Sequence, residues 1–181
     1  MSAENTFSTN PPAPAEDFGV PYSLLTASQR AILQYSADGL SDIQIGEQMG
    51  VSLYTVENHK SLIGWFGAPE NERTEKLPTG LAVLALIQDG INQGYVLHQL
   101  DSDQEVKISS GEKQILDSIS SGVTLVQLAK DLHLKRGPLD GRYKTLTTRL
   151  NTKNIHNTVA RYTELKRRGL LSVVDDPKNS T

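Results

Sequence analysis

The sequence predicts an all-α protein, built as two tandem four-helix units behind a disordered N-terminal tail. Three observations carry that prediction. The stretch LTASQRAILQYSADGLSDIQIGEQMGVS, from Leu25, aligns without a gap with ISSGEKQILDSISSGVTLVQLAKDLHLK, from Ile108, at an offset of 83. Ile32/Ile115, Leu33/Leu116, Gly39/Gly122, Ile45/Leu128, Met49/Leu132 and Val51/Leu134 all pair, which marks two copies of one small unit. Within each copy the apolar residues keep the one-face spacing of amphipathic helices. Finally, residues 1–24 hold four of the eight prolines among Ser, Thr, Asn and Ala, too little apolar surface to offset ordering.

The elements follow in order. Residues 1–24 form the tail, 25–97 repeat 1, 98–107 (HQLDSDQEVK) a polar linker, 108–171 repeat 2 and 172–181 a C-terminal tail. Thr26 and Ser109 stand as N-caps, and Glu112 at the third position completes a capping box in repeat 2. Ile32, Leu33 and Ala37 line one helix face. Gly39 and Gly122 then take the left-handed position that ends such a helix. A second short helix covers 42–49 or 125–132, and a third begins near Ser52 or Lys135. Between them Gly50 adopts φ > 0 freely, and His133 belongs to the few residue types that tolerate it. Gly46 and Ala129 fall where the two helices cross, so only a small side chain fits. This is the helix-turn-helix pattern. A fourth helix holds the apolar run LAVLALI (81–87) in repeat 1 and residues 158–168 in repeat 2. Gly90 pairs with Gly169 at offset 79, so repeat 1 carries a net four extra residues, placed within ENERTEKLPTG.

Composition narrows the function. Among 181 residues there is no cysteine, which excludes disulfide and Cys-based zinc frameworks and fits a reducing compartment. The longest apolar run is far too short to span a bilayer, and no basic-then-apolar leader is visible, so a cytoplasmic protein is expected. His59, His98, His133 and His156 share no metal-ligand spacing, and Asp101, Asp103 and Glu105 lack the Gly and bidentate Glu of a calcium loop. With no phosphate-binding glycine loop and no nucleophile-base set, neither an enzyme nor a cofactor is expected. The net charge of −3 hides a division: 25–97 carries four bases against eight acids, and 108–171 carries twelve against five. A segment of +7 is a footprint for a polyanion; one of −4 is not.

On a helical wheel Val56 and Ile63 define the core face of the third helix in repeat 1, flanked by His59 and Lys60. The opposite face collects Tyr54, Glu57, Asn58, Ser61 and Trp65. In repeat 2, Leu139 and Leu146 define the core, flanked by Arg142 and Tyr143. Gly137, Gly141, Lys144 and Thr148 face out, and Lys135 and Arg136 stand at the helix start. Lys144 and Thr148 are the groove-facing candidates; Lys135, Arg136, Arg142 and Lys153 would hold phosphates. Ser41 and Thr124 would either contact phosphate or simply cap the second helix.

These residues resemble the LuxR-type helix-turn-helix, the DNA-binding module of many bacterial transcription regulators. Repeat 2 carries the resemblance at Glu112, Leu116, Gly122 to Thr124, Leu128-Ala129, Arg149-Leu150, Lys153-Asn154, Val159-Ala160 and Gly169-Leu170. Repeat 1 carries it at Leu33, Gly39 to Ser41, Ile45, Thr55-Val56 and His59, with Gln29 in place of the usual Glu. Repeat 2 departs with Pro138-Leu139 where Thr-Val is usual and with Ile155 where Arg is frequent. Glu57 and Asp140 stand where the family tends to turn a base toward DNA. The resemblance implies a bacterial or phage regulator that binds double-stranded DNA, mainly through repeat 2. It also puts a dimer helix at 81–87. Leu81, Leu84 and Ile87 would then pair between chains as a homodimer, or against the fourth helix of repeat 2 within one chain. Tyr54 and Trp65 are candidates for a protein partner. The rival reading is an interaction protein without DNA, an antagonist of another regulator or of RNA polymerase working through the acidic repeat.

Overall fold

The computed structural model describes residues 22–64 and 79–174. Trp65, the expected insertion before Thr79 and residues 1–21 and 175–181 lie outside the described residues. Four helices come first: α1 (Ala27–Ala37), α2 (Asp42–Met49), α3 (Leu53–Ile63) and α4 (Thr79–Asn92). Strand β1 (Val106–Ser109) leads into α5 (Ser110–Ser120), α6 (Leu125–Asp131), α7 (Arg136–Arg149) and α8 (Ile155–Arg167), and strand β2 (Leu171–Val174) follows. The described residues are thus mostly helical, with one two-stranded sheet.

Local chemistry sets the boundaries. The Thr26 and Ser109 hydroxyls accept from the backbone N–H three residues on, and the Gln29 and Glu112 side chains accept in return from the cap N–H. Ser41 and Gln44 repeat this box ahead of α2. Each box satisfies donors that a helix start leaves unpaired. Gly39 and Gly122 end α1 and α5 at φ 85° and 82°, while Gly50 and His133 make the turns ahead of α3 and α7 at 68° and 52°. At Gly46 the crossing is close: a Cβ would sit 2.8 Å from the Val51 carbonyl oxygen. Gly46→Ala is therefore expected to destabilise by about 1–3 kcal/mol, although Ala is the better helix former by about 1 kcal/mol. The obstruction is backbone, which yields poorly, so the clash outweighs propensity. Thermal unfolding checks this, and an unchanged or higher Tm would refute it.

Two apolar cores result. Ile32, Leu33, Ile45, Val56 and Ile63 close on Val83, Leu86, Ile87 and Ile91 of α4. Ile115, Leu116, Leu128, Leu139 and Leu146 close on Val159, Tyr162 and Leu165 of α8. Each buried Leu or Ile contributes about 1.5–3 kcal/mol. The cores also trade residues, because Ala160 of α8 joins the first and Leu84 of α4 joins the second.

Several expectations need correction. The tail does not run to residue 24: Tyr22–Leu24 form a 3₁₀ turn, and Tyr22 stacks on Tyr95 with centroids 4.8 Å apart. The polar stretch 98–107 is packed down rather than loose. His98 and Leu100 are buried, Asp101 accepts from Arg161 and Asn151, and Asp103 accepts from Arg168. Residues 106–109 pair in parallel with 171–174, in the register Val106↔Leu171, so the expected C-terminal tail begins in a strand. The dimer helix needs the largest correction. Leu84 and Ile87 are buried inside the chain and Leu81 is half-buried, because α8 and both cores cover α4. The exposed apolar stripe that motivated pairing between chains is absent from this helix.

Candidate nucleic-acid interface

Helices α2 and α3, joined by the turn at Gly50, form a helix-turn-helix, and α6 and α7 follow the same order around His133. Ser52 caps α3 and Thr124 caps α6 through their hydroxyls, as Ser41 caps α2. Both Ser41 and Thr124 therefore serve as N-caps.

Along α3, Val56 and Ile63 point into the core, while Tyr54, 71% exposed, stands out with Glu57 and Asn58. The helix carries one cation, Lys60, and it is unavailable. Lys60 is only 7% exposed and pairs with Asp42 at the start of α2. Glu57 has no ion-pair partner among the described residues. The outer face of α3 is thus a carboxylate, an amide and a tyrosine, bounded by exposed Ile43, Leu53 and Leu62.

Along α7, Leu139 and Leu146 are buried, and Arg136, Gly137, Gly141, Arg142, Lys144 and Thr148 are exposed. Ion pairing then separates the basic residues. Lys113, Arg136, Arg149, Arg161, Lys166, Arg167 and Arg168 all pair with carboxylates. Lys130, Lys135, Arg142, Lys144 and Lys153 form no ion pair among the described residues, and all five are exposed. They fall between the end of α6 and the turn before α8.

This sorting refines the sequence expectation. Arg136 is engaged by Asp140 one helical turn on, at 3.2 Å, so the acid that departs from the family pattern neutralises its own neighbour. An i,i+4 pair is legible in sequence, and its consequence for Arg136 was missed. Thr148 donates its hydroxyl to the Lys144 carbonyl at 2.9 Å, leaving oxygen lone pairs for an incoming donor. Lys153 lies close enough to Asp38 to oppose the upward push of burial on that carboxyl, so its charge is partly spoken for. Lys130 was overlooked; its signal was membership of the basic segment just before the turn. Trp65 lies outside the described residues, so Tyr54 alone represents the expected aromatic pair. Among the described residues no cluster of His, Asp or Glu could hold a metal ion, and no helix is long and apolar enough to cross a membrane.

The α1–α3 arrangement defines a helix-turn-helix domain. Residues 23–64 match the family model GerE, described as bacterial regulatory proteins of the luxR family. That domain supports a DNA-binding transcription regulator. No curated protein and no solved structure matches the chain. The matched stretch ends at α3, and α5–α8 lie beyond it.

Proposed function

We propose that this chain is a bacterial or phage transcription regulator in which α5–α8 form a second, diverged helix-turn-helix unit and supply most of the DNA contact. The observation carrying this is a cluster of five exposed cations without an ion pair among the described residues, all within 130–153, while α3 offers none; Lys107 on β1 is the further unpaired lysine outside that cluster. Phosphate neutralisation by Lys and Arg supplies the sequence-independent part of DNA affinity. Lys135, Arg142 and Lys153 suit that role; Lys144 and Thr148, opposite the buried leucines, suit base edges.

The test uses the whole chain, because α4 and α8 lose mutual cover when the halves are separated. Each lost phosphate contact reduces the slope of log affinity on log salt by about 0.9. Lys135→Ala is expected to weaken all duplexes alike and lower the slope by about one. Lys144→Ala is expected to cost about 1–3 kcal/mol on the preferred site and to relax preference at one base pair. Salt-resolved anisotropy titrations read both. An unchanged slope in a Lys135→Ala/Lys144→Ala double variant would place the DNA contact elsewhere.

One observation favours a second reading. Ile43, Leu53, Tyr54 and Leu62 are exposed on α2 and α3 beside Glu47 and Glu57, with no exposed cation on either helix. Exposed apolar side chains with a tyrosine suit a protein partner better than a phosphate backbone. Under this reading the chain is an interaction protein, an antagonist of another regulator or of RNA polymerase. Absence of any salt-dependent DNA binding by the whole chain would favour it.

A further inference from the structure

The two four-helix sets touch reciprocally. Helix α1 ends at Gly39, which lies against the Asn157 side chain of α8; a Cβ there would meet Asn157 Cγ at 3.1 Å. Helix α5 ends at Gly122, the position 83 residues later, which lies against the Leu81 side chain of α4. The same exchange is made by polar atoms. Asn157 Nδ2 donates to the Ala37 carbonyl at 2.6 Å, and Gln88 Nε2 donates to the Ser120 carbonyl at 2.6 Å. Ala37 and Ser120 are again 83 apart. Each set thus presents the C-terminus of its first helix to the last helix of the other. At the level of helices this exchange is arranged like a two-fold assembly, although α8 uses Asn157 for both contacts and α4 uses Leu81 and Gln88.

That assembly is closed within one chain. Helix α4 buries Ala82, Val83, Leu84, Leu86, Ile87 and Ile91, and α8 buries most of its length from Asn157 to Leu165. What remains uncovered of their large apolar side chains is confined to the cleft at Leu81, Leu84 and Ile155. The two halves are also unequal among the described residues, since α7 carries exposed cations without an ion pair and α3 carries none.

We infer that a single chain engages DNA as a built-in, lopsided dimer: one molecule per site, base reading on one side only, and an operator without dyad symmetry. This rests on the DNA-binding reading above. A homodimer of identical chains would present two basic α7 helices and select an inverted repeat. One chain presents a single basic α7 beside an acidic α3.

The experiment selects duplexes from a random pool with the full-length chain, then measures mass by sedimentation, with and without the selected duplex. Expected are a single-chain mass at tens of micromolar, one chain per duplex, and a selected motif with no inverted repeat. Lys144→Ala is expected to relax preference at one position of that motif. A free dimer, two chains per duplex, or relaxation at two dyad-related positions would overturn the inference while leaving the DNA-binding reading standing. Failure to select any duplex would overturn both.

Discussion

Replacing Ile87 with Asp is expected to unfold the protein at ordinary temperature. Ile87 is 0% exposed and sits on α4 among Leu33, Val83 and Ile91 in the first core. Removing it forfeits about 1.5–3 kcal/mol of burial. A carboxylate in its place has no partner there, so the penalty for an unpaired buried polar group is added. The sum exceeds about 4 kcal/mol, against a typical total stability of about 5–15 kcal/mol. Because α4 also lends Leu84 to the second core and α8 lends Ala160 to the first, loss of α4 should remove cover from both. Circular dichroism in denaturant should show the helical signal of the whole chain lost together. Ala85→Asp, at an exposed position of the same helix, is expected to change stability by less than about 0.5 kcal/mol. A folded Ile87→Asp chain whose only change is a halved mass would show instead that α4 is an interface between chains.

Acid should weaken the join between the two helix sets, and His156 should be responsible. It stands at the start of α8, lining an apolar cleft of about 350 Å³ with Leu81, Leu84, Ile119 and Ile155. Burial in these surroundings disfavours the imidazolium, and the nearby Lys60 ammonium adds repulsion that Asp42 only partly offsets. Together they bring its pKa down to about 4. In the unfolded chain the ring takes its proton near the ordinary value of about 6.5. Between those values the unfolded state binds the extra proton, so the stabilising contribution is fully present above about pH 6.5 and drains away as pH falls toward 4. The shift corresponds to about 3 kcal/mol, or about 2 kcal/mol after allowing for partial solvent screening. His98 is shifted in the same direction, first by burial and then by Arg161, and adds to the trend. Chemical denaturation of wild type and His156→Gln across this range isolates the effect. The variant should lose markedly less stability on acidification. Parallel curves would remove His156 from the account.

Much of the helical framework was legible because its signals act over a few residues. Thr26 and Ser109 cap because their hydroxyls reach N–H groups three positions on. Gly39, Gly50, Gly122 and His133 end helices or make turns because their backbones accept positive φ. Val56/Ile63 and Leu139/Leu146 face inward because helical pitch brings positions seven apart onto one side. The division of charge between the two halves required only counting. The strands were missed for a related reason: each is four residues long, and they pair with partners 65 positions away. Nothing nearby in the chain announces such a partner.

Sequence by itself determined that α4 needed covering. Tertiary structure decided what covers it. Burial of apolar surface is non-directional, so LAVLALI requires an apolar neighbour without saying whose. The more polar residues 158–168 made a second copy look the better match. In the fold, Val159, Ala160, Tyr162 and Leu165 suffice, because Asn157 and Gln88 satisfy the carbonyls that end α1 and α5. Lys60 is a parallel case. On the wheel it only flanks the core; the placement of Asp42 beside it decides that its charge is paired and kept from the surface. Pitch and propensity act along the chain, so a sequence displays them. Which surfaces meet depends on shape and polar satisfaction between segments many residues apart, and those are settled only when the helices pack.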